Sequence, residues 1–298
     1  MASVQLFLQL DRAGVHVLPK HYYTPLPDHA WLRANQELWR KRSSLIGIAW
    51  DLDAQVAWLE DTCRVHVREV AGLDHYREVV SRQVGLGYGP IESQILHCVI
   101  RRHKPATIVE IGSGVSTACI LHATGFNKRE GPAETQVVCI EPHPRDAFRE
   151  LRDVRHIEAS CQSVCVTEFE SLRAGDLLFI DSTHAVKVGS DVVRIYLDII
   201  PRLPPGVLIQ IHDIYLPYLY PRDVLESYFG WQETVLVQAL LTNNERLSVL
   251  AATSALHYDR QGQLRELFPD YRPEEGCEGI ASNRGAGHFP SSLWLITG

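Results

Sequence analysis

A chain of 298 residues with 45% apolar side chains is long enough to bury a substantial core, so disorder is not its default state. Lys+Arg 29 against Asp+Glu 36 gives a formal charge of -7, which argues against general affinity for nucleic-acid phosphates or anionic membrane, since both need a basic surface. The apolar run Val4 to Leu10 follows no basic residue and meets Asp11 and Arg12 too early for a signal sequence, and nothing else approaches the ~20 apolar residues of a membrane span. The expectation is a cytoplasmic protein with no membrane or nucleic-acid partner.

The first hundred or so residues read as a helical extension. His21 to Asp28, His-Tyr-Tyr-Thr-Pro-Leu-Pro-Asp, is extended or turning because each proline disfavours helix in the residue before it. Asp28 is placed to cap a helix through Trp31, Leu32, Leu38 and Trp39, whose spacing gathers the apolar side chains on one face. Asp53 to Val80 gives further helix, interrupted at Gly72. Pro90-Ile91-Glu92 opens another, with Ile91, Ile95, Leu96 and Ile100 facing inward and Glu92 near the positive end of the dipole.

After Pro105 short apolar runs alternate with helices, the pattern that builds a parallel sheet with helical crossovers. Strands are expected at Thr107 to Ile111, Gln136 to Ile140, Arg155 to Glu158, Asp176 to Asp181, Gly206 to His212, Arg246 to Ala251 and Ser292 to Thr297. Helices are expected at Ser116 to Ala123, Arg145 to Leu151, Val164 to Leu172, Asp191 to Ile200, Arg222 to Phe229 and Gln232 to Leu241. Glu274 to Gly287, rich in glycine and polar residues, reads as an exposed loop. The seven cysteines form an odd set without Cys-x-x-Cys pairs, which favours buried reduced thiols over disulfides or structural zinc.

The most informative segment is Thr107-Ile108-Val109-Glu110-Ile111-Gly112-Ser113-Gly114-Val115-Ser116-Thr117, a β-branched strand running into a small-residue turn and then a helix. Gly112 and Gly114 let the backbone turn tightly and approach a ligand, and the helix start offers free NH groups to an anion. A plain strand-to-helix turn would explain the glycines alone, but the next strand ends at Glu141, where a carboxylate can accept hydrogen bonds from both hydroxyls of an adenosine ribose. The pair fits a nucleoside ligand. Two details favour S-adenosylmethionine over a dinucleotide. Glu110 is placed for an ammonium group and would repel a pyrophosphate, and the third glycine of the dinucleotide fingerprint is replaced by Thr117.

On these residues the chain resembles the class I S-adenosylmethionine-dependent methyltransferases, in particular a bacterial group carrying His-Tyr-Tyr-x-Pro-x-Pro-Asp near its start. The matching stretches are His21 to Asp28, Glu110 to Thr117, Ile140-Glu141-Pro142, Phe179 to His184 and Ile211 to Ile214. The resemblance implies an α/β fold, a doubly wound seven-stranded Rossmann-like sheet with a reversed seventh strand, divided into an N-terminal helical extension or lid (1–105) and a cofactor-binding domain (106–298). It also implies that Glu110, Gly112 and Gly114 hold the amino-acid part of the cofactor, Glu141 the ribose, and Gln162 and Ser163 the adenine edge, with Ser113, Ser116 and Asp181 lining the same site.

Methyl transfer asks the protein mainly to align acceptor and sulfonium and often to remove a proton. Catalytic groups belong at the carboxyl ends of the strands, beside the cofactor. Asp181 and His184 after the fourth strand, and His212 and Asp213 after the fifth, meet that requirement. They can converge on one divalent metal or supply a base. Catechol-type methyltransferases look similar here, with acidic and amide ligands for magnesium, but the two histidines depart from that pattern and leave magnesium, iron, zinc or no metal open. Tyr215, Tyr218, Tyr220 and Trp231 either line an apolar acceptor pocket or bury a helix, and Tyr22 and Tyr23 are candidates for a lid. A nicotinamide-dependent oxidoreductase, or the same fold doing cyclisation or rearrangement, stays as an alternative. A small-molecule acceptor fits the acidic balance, and a homodimer is compatible with it.

Overall fold

The computed structural model describes residues 2–18, 20–21, 23–24, 26–85, 87–131, 134–227, 229–274 and 287–298. Tyr22, Cys277 and most of the loop expected from Glu274 to Gly287 lie outside them.

Strands β1 (Thr107–Ile111), β2 (Gln136–Ile140), β3 (Arg155–Ile157), β4 (Leu177–Ile180), β5 (Leu208–Ile211), β6 (Leu247–Ala252) and β7 (Leu293–Thr297) form one seven-stranded sheet in the order β3-β2-β1-β4-β5-β7-β6. β1 to β5 are parallel, with Val109 opposite Val138 on one side and Leu178 on the other. β7 runs antiparallel between β5 and β6, with Leu295 opposite Ile209 and Val249. All seven expected strands are present, because strands buried on both faces read as near-continuous apolar runs.

Alternation along the strands feeds two cores. Ile108, Val137, Leu177, Phe179 and Leu208 pack under helices Leu52–Cys63, Pro90–His103 and Val115–Glu130. Val109, Val138, Leu178, Ile180 and Ile209 pack on the other face against Val192, Ile195, Val237 and Leu241. Gln55 Oε1 accepts the Ala252 amide at 2.9 Å, tying the helix Leu52–Cys63 to the end of β6. Strand order reverses between β1 and β4, so the crevice at their carboxyl ends is the natural ligand site of such a sheet.

Helix boundaries depart from expectation where tertiary contacts outweigh local pattern. The expected helix after Asp28 splits into His29–Ala34 and Gln36–Trp39, with Asn35 Nδ2 bonded back to the Trp31 carbonyl at 2.8 Å; its apolar face is not buried, and Trp31 is 52% exposed. The helix expected to stop at Ala123 continues to Glu130, where Arg101 from the neighbouring helix pairs with both Asn127 and Glu130. Asp191–Arg194 widens into a π turn over Ile195–Ile199. The helix expected at Arg222 to Phe229 is a set of isolated turns among the described residues, with Arg222 drawn into a buried pair with Glu274 and over the Phe289 ring. Helices Thr253–Asp259 and Gln261–Leu267 were not anticipated. Among the described residues Cys63, Cys98, Cys119, Cys139 and Cys161 are buried free thiols and Cys165 is an exposed one, and no helix is long and apolar enough to cross a membrane.

Candidate functional site

The turn after β1 is built by exclusion of side chains. Gly112 and Gly114 have φ of 99° and 143°, conformations that L side chains rarely adopt. A Cβ on Gly112 would stand 2.5 Å from the Asp181 carbonyl oxygen. On the other side, a Cβ on Gly85 would stand 2.5 Å from the Gly114 Cα, so the segment before the helix Pro90–His103 lies directly on the turn.

Beneath the turn, Glu110 is wholly buried. Ser116 Oγ donates to its Oε1 at 2.5 Å, but Oε2 has no hydrogen-bond partner. Burial pushes the carboxyl up to about 8; the hydrogen bond from Ser116 opposes this, and the charges of Asp181 and Glu141 add to it. An interior carboxylate with an unused oxygen is costly alone and becomes favourable once a cation reaches it. Glu141, at the end of β2, is half-buried; it accepts the His143 amide at 2.7 Å and the Ser113 hydroxyl at 3.4 Å. Gln162 and Ser163 are exposed on the single turn after β3, with Gln162 Nε2 donating to the Gly189 carbonyl at 3.0 Å and Ser163 Oγ to that of Ser160 at 2.8 Å. The glycine turn and the ends of β2 and β3 thus lie in strand order along one edge of the crevice.

The other edge is formed by the ends of β4 and β5. Ile180 and Ile211 are register partners, and the His212 amide donates to the Ile180 carbonyl at 2.9 Å, so Asp181 and His212 emerge side by side. His184 and Asp213 have φ of 57° and 54°, left-handed turns that swing both side chains back to the same point. His184 Nε2 is 3.4 Å from Asp181 Oδ1 and 3.7 Å from Asp213 Oδ2. His212 Nδ1 is 3.5 Å from Asp181 Oδ1 and 3.6 Å from Asp213 Oδ2. One donor atom each from Asp181, His184 and His212 lie within 4.8 Å of one another, a spacing able to hold a metal ion. Asp213 stands beside both rings, its other oxygen taken by the Ser291 hydroxyl at 2.8 Å and the Tyr215 hydroxyl at 3.1 Å.

Electrostatically the cluster is strongly coupled. Burial disfavours a charged His184, yet Asp181 and Glu233 outweigh it and raise the ring to about 10. Burial opposes charge on His212 too, and Asp213, Glu92 and Asp181 overcome it. Burial would raise Asp181, but the two histidines hold it well below the usual carboxylate range. Neither ring nitrogen of His212, which is 2% exposed, makes a hydrogen bond.

Two residues at this site carried no legible signal. Glu233, 1% exposed, accepts from His184 Nδ1 at 2.6 Å, Tyr196 OH at 2.8 Å and Ser182 Oγ at 2.9 Å. Glu92, expected only as a dipole partner, is 3% exposed and faces His212 Nε2 at 3.6 Å. Of the aromatic candidates, Tyr215 reaches Asp213 and Trp231 lies 4.5 Å from the His184 ring. Tyr218 and Tyr220 pack instead against Tyr258 and Trp39. Tyr23 is 79% exposed, beside His21.

The chain is similar in structure to the S-adenosylhomocysteine-bound Podospora anserina methyltransferase (20% identity, 79% of this chain and 93% of that one, TM-score 0.40). It is similar also to a Bacillus cereus O-methyltransferase in complex with S-adenosylhomocysteine (14%, 80% and 100%, 0.46) and to the Streptomyces achromogenes O-methyltransferase TomG (14%, 80% and 99%, 0.44). No curated protein sequence matches it. Residues 109–214 match the model of a family described as a methyltransferase domain, a span that runs from β1 past the end of β5 and takes in both edges of the crevice. Over that segment the chain is similar to a methyltransferase domain.

Proposed function

We propose that the protein moves the methyl group of S-adenosylmethionine to a small-molecule acceptor held between the cofactor and the cluster of Asp181, His184, His212 and Asp213. The observation that carries the reading is the unpartnered Oε2 of buried Glu110 beneath the glycine turn. In this reading it receives the ammonium of the cofactor's amino-acid part, Ser113 and Ser116 line the same pocket, and Glu141 takes the ribose hydroxyls. Gln162 and Ser163 lie where the adenine edge would rest. The chain before residue 106 serves as an extension that closes the cofactor turn through Gly85.

On the acceptor edge, Asp181, His184 and His212 are the residues that would hold a divalent metal, with Asp213 beside them; the buried, unbonded ring of His212 fits such a role. A bound metal would supply Lewis-acid polarisation of an acceptor oxygen. The chain's own contribution is to orient the acceptor in line with the sulfonium, to exclude water with the walls of Tyr88 and Trp231, and to receive the acceptor proton at a carboxylate of the cluster.

The test is calorimetric titration of the purified chain with S-adenosylhomocysteine and, separately, with NAD. Saturable binding of S-adenosylhomocysteine, weakened by about tenfold or more in Glu141→Ala, is the expected result. Binding of NAD alone, or of neither ligand, overturns the reading.

A further inference from the structure

Magnesium takes oxygen donors and keeps much of its water, whereas imidazole suits first-row transition ions such as iron, cobalt and zinc. The cluster offers two imidazole nitrogens and one carboxylate oxygen within 4.8 Å of one another. Each imidazole, moreover, is backed by a buried glutamate on the side away from that point. We infer that this site takes a first-row transition dication in preference to magnesium, and that Glu233 and Glu92 are positioning residues for its two histidine ligands. The inference rests on the acceptor-edge reading above and deepens it.

The pair His184 and Glu233 carries most of the argument. Nδ1 stands 2.6 Å from Glu233 Oε2, and since an ionised carboxylate can only accept, a proton is held on Nδ1; Nε2, directed at Asp181 and Asp213, is the nitrogen whose proton a metal would displace. Carboxylates behind metal-bound histidines do this work: they fix the tautomer, hold the ring and raise its basicity. Glu233 is itself immobilised by Tyr196 and Ser182. The pair His212 and Glu92 is looser, at 3.6 Å, with Glu92 Oε1 held by the Ser291 amide at 3.2 Å and by the Ser292 hydroxyl. It leaves His212 Nδ1 aimed at the same point without a hydrogen bond. A buried ring with both nitrogens unbonded carries a desolvation cost that a metal bond would remove.

The experiment is a cobalt titration of the metal-stripped full chain, followed by its visible absorption, with magnesium as competitor. One equivalent of cobalt with bands of mixed nitrogen and oxygen ligation, and magnesium weaker by about 100-fold or more, is expected. Glu233→Gln should weaken cobalt by about 10–100-fold with circular dichroism and S-adenosylhomocysteine affinity kept. Magnesium binding as tightly as cobalt, or no stoichiometric uptake of either, overturns the metal preference. Unchanged cobalt affinity in a folded Glu233→Gln overturns the positioning role. If that variant does not fold, the competition on the wild-type chain still decides the preference. S-adenosylhomocysteine titrated into the same sample separates the two levels: binding retained with no metal preference removes only this inference, while no binding removes the reading beneath it.

Discussion

Gly85 and Gly114 meet backbone to backbone, so closely that a Cβ on the first would stand 2.5 Å from the Cα of the second. The contact presses the segment before the helix Pro90–His103 onto the turn that, in the proposed function, cradles the cofactor. Gly85→Ala must displace one of the two backbones. Overpacking of this kind costs about 1–3 kcal/mol, and the expected result is a fall in S-adenosylhomocysteine affinity of about tenfold by calorimetry with only a small loss in Tm. Unchanged affinity would mean that the turn does not touch the ligand.

Glu110→Gln tests the other half of the cofactor reading. The amide keeps the shape but cannot pair with an ammonium, and loss of a charged hydrogen bond of about 1.5–3 kcal/mol corresponds to roughly 10–100-fold in Kd. The pH dependence has a definite sign. Between its ordinary value of 4.5 and about 8, folded Glu110 keeps a proton, with Asp181 and Glu141 adding to the effect of burial. The unfolded chain gives that proton up, so this group makes stability fall as pH rises through the window. Binding of an ammonium requires the carboxylate, so S-adenosylhomocysteine should bind more tightly at pH 8 than at pH 6, and Glu110→Gln should flatten that slope.

Where the turn Val67–Val70 packs on the helix Pro90–His103, Glu69 accepts from Arg101 Nε at 2.7 Å and lies 2.8 Å from His97 Nε2 and 3.1 Å from His66 Nδ1. Burial works against its charge, but these partners outweigh it and lower the carboxyl from 4.5 to about 2. The stabilisation is present above 4.5 and is lost as pH falls from there towards 2. Glu69→Gln should cost about 1.5–3 kcal/mol near neutrality, and the difference from wild type should shrink on acidification. A constant difference in urea-melt midpoints across that range would refute the assignment.

His212→Ala should lower product formation by at least about 100-fold while S-adenosylhomocysteine affinity stays nearly unchanged. The assay is transfer of labelled methyl to a panel of small hydroxylated acceptors, once one gives product. Wild-type rates in the variant would remove the ring from the chemistry.

What the sequence reveals follows from how local each feature is. The strands are legible because each is a short β-branched apolar run; Glu110 and the glycines stand out because one strand and its turn hold them in fixed spacing, and Glu141 because it closes the next strand. The limits of the helices are not, since Arg101 extends one by pairing with Asn127 and Glu130, and Arg222 breaks another by turning towards Glu274. Glu233 stays hidden for the same reason: it reaches His184 across 49 residues of sequence, at the start of an apolar helix that gives no sign of a polar partner.

The reversed β7 bears on how the protein is made. Ser291 and Ser292, just ahead of it, bond Asp213 and Glu92, and the strand itself fills the gap between β5 and β6. On the ribosome, β1 to β4 and the glycine turn emerge well before these residues, so the cofactor edge can assemble while the acceptor edge is still without its braces. During that interval β5, Leu208–Ile211, presents an unpaired edge of the kind that invites association between nascent chains. That edge is covered when β7 docks between β5 and β6.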